Sequence, residues 1–387
     1  MNVAIIGAGI TGVTTAYYLS KYNFNIDLIE SRRYPAMATS YANGGQLSAS
    51  NSEAWNSWSN VLTGLKGSIK VDSPVRLNLT PSLDKFVWLM QFIRNIKNKD
   101  EISFQICRMA CQSVKLYKKI AEKEKIKFDL LNKGIIHLYN NSQQTKKAEK
   151  ANKIYNKAGL KRIRITHDEC YSIEPSLKNQ KFHSIFYTPS DKTGDIHKFC
   201  NNLTNNLLKK NRINLIKKEV SDLKEEKKKY DCIIVCAGVN SRKLAKTIGE
   251  NLPIYPVKGY SITVNKPGKN APWVSLLDDE KKIVTSRLGV GRLRIAGSAE
   301  FSGYNLDILQ SRVRPLINWC TTLFPQINTN DIKPWAGLRP MTPNMLPIIR
   351  KSRKIGNVWF NTGHGHLGWT LSAITAKTIA ENIIEKN

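Results

Sequence analysis

The chain opens M1-N-V-A-I-I-G-A-G-I-T-G12, continues V13-T-T-A-Y-Y-L19, and reaches N25-I-D-L-I-E30. A short apolar run is followed at once by Gly7, Gly9 and Gly12 in the G-x-G-x-x-G spacing, then by a helical stretch, then by a second strand that ends in Glu30. The three glycines have separate tasks: a tight turn, close backbone approach to a pyrophosphate, and close helix–strand contact. The start of the helix supplies unpaired N–H groups and a partial positive charge. A carboxylate at position 30 accepts from both ribose hydroxyls and repels a ribose phosphate, so NADP is disfavoured while FAD and NAD stay open. The contacts expected here are Val3, Ile5, Gly7, Ala8, Gly9, Ile10, Thr11, Gly12, Glu30, Ser31 and Arg32.

At 387 residues with 41% hydrophobic content, the chain fits two globular domains. No run approaches the ~18 apolar residues of a membrane-spanning helix. The start has no basic leader and reads as a strand of a cytoplasmic chain. Seven cysteines without a C-x-x-C read as reduced core residues. The charge is unusual: 60 Lys+Arg against 30 Asp+Glu, net +30. That balance fits attraction to an anionic membrane on the inner face of the cytoplasmic membrane, or nucleic acid. The lysines are scattered, however, and the one run, L223-K-E-E-K-K-K229, is mixed in sign. Enrichment in Asn and Ile beside Lys points to compositional drift, and no nucleic-acid partner is expected.

A second glycine-rich stretch, N361-T-G-H-G-H-L-G-W-T370, lies between the strand V358-W-F-N-T362 and the helix L371-S-A-I-T-A-K-T-I-A380. Gly363, Gly365 and Gly368 allow the backbone to press against a flat ligand where a Cβ would collide. The two histidines lack the neighbouring acids of a four-ligand set, so no metal is expected.

From Glu30 onward the chain resembles the FAD-dependent amine and amino-acid oxidoreductases of the D-amino-acid oxidase superfamily, the bacterial D-amino-acid dehydrogenases above all. The motifs that carry this likeness are A38-T-S-Y-A-N-G-G-Q-L-S48, T193-G-D195, Y255-P-V-K-G-Y-S-I-T263, WAGLRPMTP from Trp335 to Pro343, and the 361–370 stretch. The resemblance implies FAD, with Thr39, Ser40, Asn43, Gly44, Gly45 and Gln46 wrapping the pyrophosphate and reaching the flavin. It implies that the Val220 backbone meets adenine, with Ala237 and Gly238 beside the flavin. Gly363, His364, Gly365, His366, Leu367, Gly368, Trp369 and Thr370 would form the flavin-ring site. Arg339 would grip a substrate carboxylate, its planar fork matching two oxygens; a structural ion pair is the alternative. Tyr260 would be a wall or hydroxyl donor of the pocket, or else a packing residue. Gly337 stands where sarcosine-oxidising relatives carry a flavin-linked cysteine, which implies noncovalent FAD.

The activity so implied is oxidative deamination of D-amino acids to 2-oxo acids and ammonia, with electrons passed to a quinone-type acceptor and no general base. A glycine/sarcosine-type amine oxidase using oxygen and an RNA-acting flavoprotein are the alternatives. The expected architecture is a Rossmann-like α/β FAD domain (1–83, 192–250 and 333–387) interleaved with an α+β substrate domain (84–191 and 251–332) built on a mainly antiparallel sheet. The apolar stripe from Asp84 to Ile96 is expected to pack on the core, and Trp55, Trp58 and Trp88 to cover loops or fill core.

Overall fold

The computed structural model describes residues 1–68, 73–78 and 80–385. Strand Asn2–Ile6 is flanked by Cys232–Val235 and Asn25–Glu30, both parallel to it. The sheet grows outward through Val358–Thr362 and the antiparallel edge Ile348–Lys351 on one side, and through Asn214–Lys217 on the other. The central strands bury every residue from Val3 to Ile6 and from Cys232 to Val235, as parallel strands covered on both faces must.

One cover is a pair of helices from opposite ends of the chain. Ile10–Leu19 packs against Gly368–Ile384. Thr14 Oγ1 donates to Ser372 O (3.3 Å), and Asn361 Nδ2 donates to Thr15 Oγ1 (3.0 Å). The long helix Lys99–Lys123 lies against the last helix, where the hydroxyls of Tyr117 and Ser372 meet and Ile374 N donates to Ser113 Oγ at 3.2 Å.

A nine-stranded sheet stands beside this layer in the order Ile332–Met341, Tyr255–Asn265, Arg292–Phe301, Ile283–Leu288, Ser275–Asp278, Ile135–Tyr139, Ser184–Thr188 and Ile163–Ile165, with Val75–Leu77 added to Arg292–Phe301. Two of its pairings are parallel, 275–278 with 135–139 and 75–77 with 292–301; the rest are antiparallel. Helix Gln310–Leu323 packs on its far face through Val313, Leu316 and Trp319. Two segments sit across from where the sequence placed them. Ile332–Met341 is the edge strand of the larger sheet, paired along its length with Tyr255–Asn265, and Lys99–Lys123 contributes Tyr117 and Ile120 to the core of the smaller one.

The helix Leu83–Arg94 also departs from expectation. Trp88 and Phe92 turn inward with Leu89 packed partly against them, and Trp88 Nε1 donates to Met341 O at 2.9 Å. Lys85 is buried, its ammonium donating to the carbonyls of Asn78 and Thr80. Leu83 (78% exposed), Phe86 (62%), Val87 and Met90 face outward. A stripe wider than the surface available beneath it cannot all be covered, and the excess lies in solvent. Trp88 fills core as expected, whereas Trp58 is 59% exposed.

Ile379 is wholly buried in the core between the first and last helices. Ile379→Ala is expected to cost about 2–5 kcal/mol, read as a lower urea midpoint with an unchanged slope. An unchanged midpoint would show that the two helices do not bear on each other's stability.

Candidate active site

A single cavity of about 970 Å³ runs from the glycine turn at the amino terminus, under the 361–370 stretch, to the face of the larger sheet. At its first end Gly7 has φ +101°, and a Cβ at Gly12 would stand 1.8 Å from the Gly7 carbonyl oxygen. The position therefore admits glycine alone, and the helix start sits directly on the strand end. Glu30 receives Ala8 N–H (2.8 Å) on Oε2 and Arg32 N–H (2.9 Å) on Oε1. Its carboxylate is thus fixed in orientation while still bordering the cavity.

The 38–50 segment forms the middle wall. Ser40 Oγ accepts from Ile10 N (3.1 Å), Thr39 Oγ1 donates to Leu338 O (2.8 Å), and Ser286 Oγ donates to Gly44 O (2.6 Å). Gly44 leaves no room for a side chain, since a Cβ would lie 2.7 Å from Val284 Cγ2. Buried Asp191 fastens the end of the segment, accepting from Ser48 Oγ (3.0 Å), Ala49 N (2.9 Å) and Ser50 N (3.1 Å). Burial raises the pKa of this carboxyl, and those hydrogen bonds oppose the rise.

Of the residues expected at the cofactor, Gly7, Gly9, Ile10, Thr11, Glu30, Ser31, Arg32, Thr39, Ser40, Asn43, Gly44, Gln46, Val220, Ala237, Gly238, His364, Gly365, His366, Leu367, Gly368, Trp369 and Thr370 line the cavity. Val3, Ile5, Ala8, Gly12, Gly45 and Gly363 lie behind its wall. A Cβ at Gly363 would meet Thr342 Cγ2 at 2.8 Å, so that glycine serves strand contact. The buried Gln46 Oε1 and Ser298 Oγ, both at the cavity surface, have no partner within the protein. The glycine cradle, the fixed acid, the amino ends of two helices and these acceptors fit a dinucleotide with a flat ring.

At the far end, alternate residues of the larger sheet form a floor of small side chains, including Gly259, Ala296, Ser298 and Gly337. Arg339 lies across Gly259, where a Cβ would come within 2.3 Å of the guanidinium. Its Nη1 donates to Ser298 O (2.8 Å). Ser298 has φ +56° beside a register shift in the strand pairing, a conformation that costs about 1–2 kcal/mol and that holds its carbonyl toward the guanidinium. Among the described residues Arg339 has no carboxylate partner. Burial lowers its pKa to about 10, so it remains a cation at neutral pH.

Tyr260 both borders the cavity and packs in the core. It alternates with Gly259 to the opposite face of the strand, joins the core around Leu316, and donates its hydroxyl to Glu300 Oε2 at 2.7 Å. The hydroxyl proton is thus committed to Glu300. The cavity is also lined by Asp279 and Lys282 of one turn, Asn51, Trp55 and Trp335, none of which is among the residues expected at cofactor or substrate. Lys282 (φ +54°) brings its ammonium 3.3 Å from Asp279 Oδ1, and Asp279 Oδ2 accepts from Tyr139 at 2.9 Å. Burial would raise the Asp279 pKa, but Lys282, His137 and Arg162 hold it at about 2. Trp335 stood in a motif already singled out; the turn and Asn51 carried no pattern.

His366 stacks on Trp55 (ring centroids 4.6 Å apart) with Nε2 3.4 Å from Asn51 O, and His364 Nε2 lies 2.8 Å from Thr375 Oγ1. Among the described residues no group of His, Cys, Asp and Glu could hold a metal. Burial, aided for His366 by Arg339, lowers the pKa of both to about 3, and burial with Arg162 does the same for His137. All three stay neutral in the fold and gain protons only on unfolding. Below the unfolded value of 6.5 the unfolded chain therefore binds up to three more protons. Stability should fall as pH drops from 6.5 toward 3, measured as the thermal midpoint against pH. A flat midpoint from pH 6.5 to about 5, above the carboxylate range, would contradict these buried neutral rings.

The chain matches the model of the family described as FAD dependent oxidoreductase (DAO) over residues 2–382. It is 47% identical over 399 residues to D-amino acid dehydrogenase 3 of Mesorhizobium japonicum, covering 98% of this chain and 96% of that protein. It is 34% identical over 413 residues to a D-amino acid dehydrogenase of Dechloromonas aromatica, with 99% and 97% covered. Its fold is shared with the L-proline dehydrogenase of P. horikoshii (TM-score 0.76, 17% identity, 100% of this chain and 94% of that one). The glycine oxidase of Bacillus cereus is similar too (TM-score 0.75, 18% identity, 100% and 95%). With its glycine cradle, mixed sheets and near-complete match, this chain belongs to the FAD dependent oxidoreductase family.

Proposed function

We propose that this flavoprotein oxidises D-amino acids to 2-oxo acids and ammonia and passes the electrons to a quinone-type acceptor. One observation carries the reading: Arg339, charged and without a counter-anion among the described residues, faces the cavity from the floor of the larger sheet. A partly buried cation without a counter-anion is costly, and a ligand carboxylate relieves that cost. The names of the relatives support the D-configuration and an acceptor other than oxygen.

Bound FAD supplies the two-electron acceptor. The protein's share is orientation and exclusion of water. Arg339 binds the α-carboxylate through its fork, and the Ser298 carbonyl keeps that fork in register. The small floor residues leave space for a flat ring above them, and the stacked pair Trp55–His366 closes one side. A neutral His366 neither repels an amino group nor competes with Arg339 for the carboxylate. With the amine bound in its neutral form, loss of the Cα hydride leaves the iminium carboxylate, which water hydrolyses to 2-oxo acid and ammonium after release; no side chain is needed as base, and fixing the carboxylate provides the alignment. The FAD is held noncovalently in this reading. Gly337 carries no thiol and is covered by the Trp335 ring, and the Cys236 thiol at the cavity wall is buried against Thr15 at 3.8 Å.

Anaerobic bleaching of the bound flavin by D- and L-amino acids, glycine and sarcosine tests the assignment. D-amino acids should bleach it and L-amino acids should not; bleaching by glycine or sarcosine alone would sink it. Arg339→Leu is expected to raise the substrate concentration for half-bleaching by at least about 100-fold while the yellow cofactor stays bound. An unchanged titration would remove Arg339 from the substrate site.

A further inference from the structure

We propose that the outward apolar face of helices Trp58–Lys66 and Leu83–Arg94, with the 304–309 loop, is a docking surface for an anionic phospholipid bilayer, and that the cavity opens onto it. Among the described residues, eleven of the fifteen large apolar side chains that stand in solvent lie here: Trp58, Leu62, Leu65, Leu83, Phe86, Val87, Met90, Tyr304, Leu306, Ile308 and Leu309. Apolar side chains exposed in solution are ordinarily scattered, and a continuous field of them marks a partner surface. Continuity is supplied by the cavity, because Leu65, Phe86, Met90, Tyr304 and Leu306 are both exposed and part of its wall. The second helix is set opposite to the usual sense, burying Lys85 while Leu83 and Phe86 face out.

Charge selects the occupant. The exposed acid of the second helix, Asp84, is already paired with Arg242, while Lys85 is buried and Lys99 is paired with Glu53. Lys66, Arg94 and Lys97 are exposed beside the apolar field. A second copy of this chain would bring a basic rim against a basic rim, whereas anionic headgroups complement it. Trp58 and Tyr304 are the residue types that settle at headgroup depth. No helix among the described residues is long and apolar enough to cross a membrane, so the contact is one of lying on the surface. This deepens the reading of a lipid-soluble acceptor and rests on it only for what would pass through the mouth.

The test uses the full FAD-loaded chain with vesicles of phosphatidylcholine alone and of phosphatidylcholine with phosphatidylglycerol. The protein should sediment with the anionic vesicles, less at high salt, and weakly with the neutral ones. Leu62→Glu/Leu83→Glu alters two exposed side chains outside the cavity wall. It should lower the partition constant at least about tenfold with flavin bleaching and the urea midpoint unchanged. Absence of vesicle binding by the parent chain would overturn the proposal, as would equal binding by the double variant. A concentration-dependent dimer dissolved by the same substitutions, without vesicle binding, would assign the face to a second copy. Failure of D-amino acids to bleach the flavin would leave the vesicle result standing and count only against the function proposed above.

Discussion

The fold turns on a contact that no side chain could survive. With 1.8 Å between a notional Cβ at position 12 and the Gly7 carbonyl oxygen, the first helix can sit on its strand only because both residues are glycine. That seating aims the helix axis at the cavity and sets the first helix against the last, so a turn of six residues fixes where segments more than three hundred positions away must come to rest. Gln46, Gly44 and the 361–370 stretch then close around the same space.

The opposite end of the cavity obeys electrostatics. A strand irregularity at Ser298 and the bare position Gly259 clear a bed for one guanidinium, and among the described residues no carboxylate pairs with it. The other cation of this region, Lys282, is held differently: Asp279 answers it, and Tyr139 answers Asp279. Two positive groups on one cavity thus differ in whether their charge is already met within the protein. That contrast singles out the arginine as the group with affinity to spare, and leaves the lysine a wall.

Much of this was legible beforehand, and the failures have identifiable physics. The glycine spacing, the terminal acid and the apolar runs around positions 3, 232 and 358 specify the parallel sheet because each is a local constraint. The role of Tyr260 stayed open between wall and packing because alternation along a strand tells which residues share a face but not which face meets the cavity. The outward helix was misjudged for the same reason in three dimensions: an apolar stripe predicts that something covers it, without saying what. Asp191 and the Asp279–Lys282 turn were invisible because their partners, at positions 48–50 and 139, are near only once the chain has folded.

The smaller sheet has a temporal corollary. Its central strand is made first, yet one neighbour comes from residues 232–235 and the strand beyond that from 358–362. During synthesis the glycine turn emerges with nothing to lean on, and the roof of the cavity, residues 361–370, follows only about 350 residues later. Long-range pairing of this kind is slow to form and leaves strand edges bare in the interval. A nascent chain would therefore be unable to close around a nucleotide until residues 361–370 have emerged, and capture of the flavin waits on that late segment.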